Sequence, residues 1–343
     1  MHHFNLALLG FGNVGQALAR LLREKAADMR NQYDIETSIT AIATGQHGMA
    51  INHQGLDIST AIELVEAGKH LDSLNTAAAA QDSLTFIRDS GADILFETTP
   101  VNYDTGQPAI SYIQQALELG MHVTTANKGP VVHGYEQLTQ TAAAHNCKFL
   151  FESAVMDGAP IFSLFRSALP AANLLSFRGI LNSTTNLILS RMGTGESFDE
   201  AVLYAQKIGI AETDPSGDID GWDAAIKVAA LATVLMGTAI NPADIDREGI
   251  RGVSPEMIRA AEQQGKRWKL VCSAQRDGNQ ITGRVAPELV SPDSAFYGIE
   301  GTTSIIQFET DVLGELSIIE ANPGPQTTAY GLLADFLNAV RET

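Results

Sequence analysis

Residues 6–15 restrict the folds open to this chain more than any other stretch of similar length. Leu6-Ala-Leu-Leu9 is an apolar run of strand length, Gly10-Phe11-Gly12-Asn13-Val14-Gly15 follows at once, and a helical pattern runs from Val14 to about Lys25. A turn that leaves a buried strand and enters a helix this abruptly needs the freedom of Gly10. Gly12 lets the backbone approach a phosphate, and Gly15 lets the helix lie close to the strand. The helix start then offers free N–H groups and the positive end of its dipole to an anion. In this strand–turn–helix setting the six residues read as a dinucleotide-binding fingerprint, and Gly10, Phe11, Gly12, Asn13, Val14 and Gly15 are the expected cofactor contacts.

The pattern continues through the first half. Residues 39–43, 94–96, 122–125 and 149–151 read as strands, and 59–67, 107–119 and 135–145 as helices. Strictly alternating strands and helices imply a parallel sheet covered on both faces, of the Rossmann type. The end of the second strand selects the cofactor: an acid there holds a ribose 2′-hydroxyl, an arginine a 2′-phosphate. Thr44-Gly-Gln-His47-Gly48 has neither. The missing carboxylate favours NADP, with His47 as a substitute cation, while the missing arginine leaves NAD open. Glu97-Thr98-Thr99-Pro100 and Ala126-Asn-Lys128-Gly-Pro130 follow two further strands and point at the same crevice.

The second half differs in texture. Glu212, Asp214, Asp218, Asp220 and Asp223 fall within twelve residues, and Pro215, Gly217 and Gly221 make Glu212–Asp220 read as a loop. From Trp222 to Met236 the chain is apolar all round, as in a buried helix, until Gly237 stops it. Lys227 lies inside that helix with Asp223 one turn earlier on the same face. A buried ammonium must be paired, neutral or at a cavity wall. A structural ion pair is the plain reading. Five carboxylates converging on one lysine, however, would exceed what one pair needs, and would suit binding an ammonium group beside a reacting oxygen.

Around this stretch, Leu174–Leu181 reads as a strand and Asn182-Ser-Thr-Thr-Asn186 as a helix cap. Ser197-Phe-Asp-Glu200 is a capping box, and Ser254-Pro255 opens another helix. Asp277-Gly278 and Leu313-Gly314 mark two hairpins and so a mostly antiparallel sheet. The expected fold is α/β: an N-terminal Rossmann-type parallel sheet, a second α+β domain for substrate and dimerisation, and a C-terminal helix returning to the first. The expected boundaries are 1–152, 153–320 and 321–343.

The run Ala205-x3-Gly209-Ile-Ala-x2-Asp214-Pro215-x2-Asp218-Ile-x-Gly221-x-Asp223-x3-Lys227 resembles the homoserine dehydrogenase signature at every fixed position over 23 residues. The resemblance extends in order along nearly the whole chain. It implies NAD(P)-dependent interconversion of L-aspartate 4-semialdehyde and L-homoserine, a step in threonine, methionine and isoleucine biosynthesis. It further implies Lys227 as the proton donor, Asp218 as its positioning partner, and Gly209, Glu212 and Asp223 as amino-acid contacts. Thr98, Thr99 and Lys128 would lie beside the nicotinamide, with Lys128 also near substrate. Gly324, in Asn322-Pro-Gly324-Pro, falls where the family has a cofactor contact. Glu152, Val155, Asp157 and Ala159 match positions that hold a sodium ion through the glutamate side chain and backbone carbonyls. Asp157 departs from the small residue usual there, and Ser183 from a usual glycine. A homodimer built on the antiparallel sheet is also implied.

Composition narrows the partners. A net charge of −18 disfavours phosphate backbones and acidic membranes. Two cysteines, the lack of a signal-peptide pattern and the lack of a long apolar run point to a reducing, cytoplasmic setting. An aspartate-semialdehyde dehydrogenase would need a cysteine nucleophile, and Cys147, just before a buried strand, and Cys272, within one, do not suit that role. A non-catalytic NAD(P)-binding sensor on the same scaffold would keep Gly10–Gly15 but could discard Lys227 and its carboxylates, all of which are present.

Overall fold

The computed structural model describes residues 1–341. The chain divides into two compact units, Met1–Pro160 together with the chain from Gly324 onward, and Ile161–Pro323.

The first unit is built on a six-stranded sheet. Its strands are β1 (His2–Leu9), β2 (Ile35–Ala43), β3 (Met49–Ile51), β4 (Ile94–Glu97), β5 (His122–Thr125) and β6 (Phe149–Leu150), in the spatial order β3-β2-β1-β4-β5-β6. Every pair is parallel except β2–β3, which forms an antiparallel edge hairpin. That hairpin was not foreseen: three residues are too few for a periodic signal. Leu6, Ala7 and Leu8 have no exposed surface, as a central strand covered on both faces requires. Strand order reverses at β1, which is flanked by β2 and β4, and such a switch point opens a crevice at the strand ends. The register pairs Leu9 with Ala43 and Glu97, and Glu97 with Thr125. Gly10, Thr44, Thr98 and Ala126 therefore leave the sheet in one row.

The last helix, Pro325–Val340, belongs to this unit, as expected. Its Ala329, Leu332, Leu333 and Phe336 join the core formed by Leu6, Leu8 and Phe96. The Phe336 ring meets Phe4 and Phe96 edge-on, with centroids 5.9 and 6.1 Å away. Asp335 accepts the Glu152 backbone N–H at 2.6 Å.

The second unit carries β7 (Leu174–Ile180), β8 (Asp246–Arg247), β9 (Arg267–Asp277), β10 (Gln280–Val290), β11 (Ser304–Thr310) and β12 (Gly314–Glu320), ordered β12-β11-β7-β9-β10-β8. All pairs are antiparallel except β8–β10. Both expected hairpins form, β9–β10 and β11–β12, with Gly278 and Gly314 at φ 58° and 68° in their turns. The helix Trp222–Leu235 packs on β9 and β10. One expectation is corrected: the segment read as a continuous loop contains a helical turn, Ser216–Ile219. Its backbone bonds from Asp218, Ile219 and Asp220 back to Pro215 and Ser216 outweigh the breaking tendency of Gly217.

Candidate active site

The glycine fingerprint lies in the first unit. Gly10 adopts φ +103°, and a Cβ there would come within 2.6 Å of both Thr98 O and Thr98 Oγ1. Thr98 Oγ1 in turn donates to Gly10 O at 3.0 Å, tying the turn after β1 to the end of β4. A Cβ on Gly15 would run into Gly10 O, so the helix Asn13–Glu24 can sit this close only with glycine there. Around Gly12, by contrast, a Cβ would meet nothing within 4 Å. Gly12 is also the N-cap of that helix, and no side chain caps its free N–H groups. Open space beside uncapped N–H groups is the cradle a pyrophosphate needs. Phe11 is buried and Asn13 exposed, with Val14 partly covered.

A second network organises the neighbouring strand ends, around a residue that sequence reasoning passed over. Glu97 has no exposed surface. It accepts the Thr99 N–H at 2.8 Å, the Thr99 hydroxyl, and the Thr125 hydroxyl at 2.6 Å. Burial raises its pKa against the pull of these bonds. Thr125 Oγ1 then accepts from Asn127 N at 2.9 Å, and Asn127 caps the helix Lys128–His133 through Gly129 N at 3.0 Å. Asn127 Nδ2 also donates to Thr99 O at 3.3 Å. Thr99 and Lys128 are thus carried on two loops clamped by one buried carboxyl group. In the sequence, Glu97 was only the first letter of a motif; nothing in its spacing marks it as a clamp.

In the second unit, Lys227 sits on the buried helix as expected, its side chain 13% exposed and that of Asp223 11%. Lys227 Nζ is 2.8 Å from Asp223 Oδ2 and donates to Leu181 O at 2.6 Å. Asn182 completes the cluster. Its Oδ1 caps the helix Ser183–Gly193 through Thr185 N at 2.8 Å. Its Nδ2 donates to Asp218 Oδ1 at 2.6 Å and Asp223 Oδ2 at 3.0 Å. One amide therefore bridges two carboxylates that would otherwise repel. The Asp218 pKa is raised, first by burial and then by the charge of Asp223; bonds from Asn182 and Thr184 and the charge of Lys227 work the other way and do not win. Asn182 was foreseen as a helix cap, but its leftover donor found these carboxylates only in three dimensions.

The expected convergence of five carboxylates on Lys227 is corrected. Only Asp218 and Asp223 join it. Asp220 pairs with Arg251, and its carbonyl accepts from Arg247. Asp214 turns back to Ser216 N at 3.1 Å. Glu212 is exposed, its carbonyl accepting from Gln206 Nε2 at 3.1 Å. Gly209, at φ +76°, ends the preceding helix on the surface. An arginine distant in sequence takes Asp220, a local backbone bond takes Asp214, and exposure leaves Glu212 apart.

Two other expected positions have defined partners. Asp157, at φ +42°, uses its carboxylate to accept from Gly324 N (2.7 Å), Thr327 Oγ1 (2.9 Å) and Thr328 Oγ1 (3.1 Å). It caps the C-terminal helix. The Gly324 N–H is therefore taken, and its carbonyl lies 2.8 and 3.0 Å from the same two hydroxyl oxygens. Glu152 is buried at 3% exposure, next to the buried Val155 and Ala159. Among the described residues no group of three or more His, Cys, Asp or Glu could hold a metal ion. Any ion here would draw on Glu152 and on backbone carbonyls, a hard oxygen set that suits an alkali cation. Cys147 and Cys272 are both free and buried; burial raises both thiols, that of Cys272 to about 12, the opposite of the shift that activates a nucleophilic cysteine.

The family model for the homoserine dehydrogenase NAD-binding domain matches residues 10–152, and the homoserine dehydrogenase model matches residues 160–337. This chain belongs to the homoserine dehydrogenase family. It is 35% identical to an NAD(+)-dependent homoserine dehydrogenase of Pseudomonas canavaninivorans, over 98% of this chain and 96% of that one. It is also 35% identical to the homoserine dehydrogenase of Methanocaldococcus jannaschii, over 99% of each. The crystal structure of a homoserine dehydrogenase from Thiobacillus denitrificans superposes with a TM-score of 0.83 at 29% identity, covering 99% of this chain and 73% of that one. As a homoserine dehydrogenase, an oxidoreductase with an NAD-binding domain, the chain has its nucleotide fingerprint and its lysine–carboxylate cluster in the two matched regions.

Proposed function

We propose that the chain interconverts L-aspartate 4-semialdehyde and L-homoserine with Lys227 as the proton donor. The observation that carries this reading is Lys227 itself: a nearly buried ammonium, aimed by Leu181 O and Asp223 rather than left to solvent. When bound, the nicotinamide supplies or accepts the hydride. As hydride reaches the aldehyde carbon, the carbonyl oxygen gains negative charge, and Lys227 stabilises that charge and protonates it. Asp218 and Asp223, bridged by Asn182, keep the lysine charged and oriented. Asp223, with Glu212 and the surface turn at Gly209, is assigned to the substrate's amino-acid end. Lys128, on the loop clamped by Glu97, is assigned to the cofactor edge and the aldehyde oxygen, and Thr98 and Thr99 to the nicotinamide. Gly10–Gly15 are assigned to the pyrophosphate and Gly324 to a cofactor contact through its Cα. Glu152 and the carbonyls of Val155, Asp157 and Ala159 would hold a sodium ion.

For the cofactor, NADP fits His47 as a cation for a 2′-phosphate. A specific observation supports NAD as well: Asp72 Oδ1 lies 3.1 Å from where a Gly48 Cβ would stand, just beyond the end of β2. It supplies from a distant segment the acid that β2 lacks. The first unit is read as the nucleotide domain and the second as the substrate and dimerisation domain; Leu175, Leu289 and Ile319, exposed on its strands at 39, 36 and 60%, suit a homodimer surface. No helix among the described residues is long and apolar enough to cross a membrane. A cytoplasmic role in threonine, methionine and isoleucine synthesis completes the reading. The deciding assay is homoserine-dependent growth of absorbance at 340 nm with NAD and with NADP. No signal with either, from folded protein, would favour the sensor.

A further inference from the structure

The second unit contains a cavity of about 290 Å³ walled by the helices Ser183–Gly193 and Pro255–Gln263 and by the start of β9. None of its lining residues belongs to the Lys227 cluster. Lys266, Arg267 and Lys269 line it, with Glu262 and Glu300.

Lys269 is the unusual member. It is 2% exposed, and its ammonium donates to Asn186 Oδ1 at 3.0 Å and to the Ile299 carbonyl. Asn186 is held in place by its own bonds to the Gly301 and Thr303 carbonyls, each at 3.1 Å. Both partners of Lys269 are neutral, and among the described residues the third N–H of the ammonium has no acceptor. Glu300, whose charge reaches Lys269, makes its ion pair with Arg267 and none with Lys269. Burial pushes the Lys269 pKa down to about 8, so it still carries its charge at neutral pH. A buried cation without a directly paired counter-ion is costly, and a ligand could supply one.

With Arg267 and Glu300 cancelling each other, the wall presents Lys266 and Lys269 against Glu262. Neither Lys266 nor Glu262 makes an ion pair among the described residues. Two ammonium groups and one carboxylate are matched by a ligand with two carboxylates and one ammonium. The cavity is at the lower edge of ligand pockets, roughly 300–1,000 Å³, a size for an amino acid and not for a nucleotide. We propose that this cavity is a second small-molecule site, taking a dicarboxylic α-amino acid of aspartate's size, with its carboxylates on Lys269 and Lys266 and its ammonium on Glu262.

The test is calorimetric titration of the whole protein with L-aspartate, alongside succinate and L-asparagine. Saturable L-aspartate binding is expected, weakened at least about tenfold by Lys269→Met and by Glu262→Gln. Succinate should bind without regard to Glu262, and L-asparagine should bind more weakly than L-aspartate. Should Lys269→Met fail to fold, Lys266→Ala, at a partly exposed position, carries the same expectation. L-Aspartate should also leave the KM for homoserine unchanged. Absence of saturable binding, binding indifferent to these variants, or competition with homoserine would each overturn the proposal, and none of them touches the assignment of Lys227.

Discussion

On the proposed reading, Lys227 carries the proton transfer in one side chain. Replacing it with alanine should lower kcat by about a hundredfold or more while the fold persists, since Asp223 keeps its bond from Asn182. Near-normal turnover of the purified variant would remove Lys227 from the reaction. Glu212→Ala should act differently: exposed and assigned to the substrate's ammonium, it should raise the KM for homoserine with kcat little changed, and a fall in kcat alone would refute the assignment. Asp218 links site and stability. Its folded pKa lies above the ordinary 3.8, so the folded state binds that proton more tightly than the unfolded chain. The ionised group therefore costs stability above the raised pKa, and the cost is relieved as pH falls through it. Asp218→Asn should be the more heat-stable protein at pH 8 and lose that advantage below the ordinary carboxylate range. A constant difference in melting temperature across that span would show that its ionisation is not the cause. Such a penalty is typical of a group kept for function at the expense of stability.

At the level of elements, two polar residues fasten segments far apart in sequence. Glu97 clamps the loops after β4 and β5, and Asp157 caps the helix Pro325–Val340 from across the first unit. A lost helix cap typically costs about 1 kcal/mol, within a range of roughly 0.5–2. With three bonds involved, Asp157→Ala should fall in the upper half of that range by denaturant titration, and Asp157→Asn should restore part of it. An unchanged midpoint would mean that the cap adds nothing. Cofactor affinity should also drop in Asp157→Ala if Gly324 contacts the nucleotide, because the cap fixes the Gly324 backbone. Glu97 teaches the same lesson about sequence: two of its three donors come from Thr99 in its own motif, but the one that makes it a clamp, Thr125, lies 28 positions away.

For the whole molecule, the proposed reading rests cofactor choice on which charge faces the end of β2. If Asp72 holds the ribose 2′-hydroxyl, Asp72→Asn should shift the kcat/KM ratio from NAD toward NADP by about tenfold, and an unchanged ratio would return the choice to His47. Light scattering should find a particle of twice the 36.6 kDa chain; a monomer at working concentration would remove the dimer from the reading.

The fingerprint at Gly10–Gly15, the strand–helix alternation, the two hairpins, the capping box and the placing of Lys227 on a buried helix were all legible beforehand. Each rests on chemistry within a few residues: a φ only glycine holds easily, a periodicity, a cap three positions from its partner. Tertiary structure alone decided which two of five acids remain with Lys227, that Asn182 bridges them, that Glu97 and Asp157 act as fasteners, and that Asp72 comes up beside Gly48. Charges and hydrogen-bond donors choose partners by distance in space, and that distance exists only once the chain has folded.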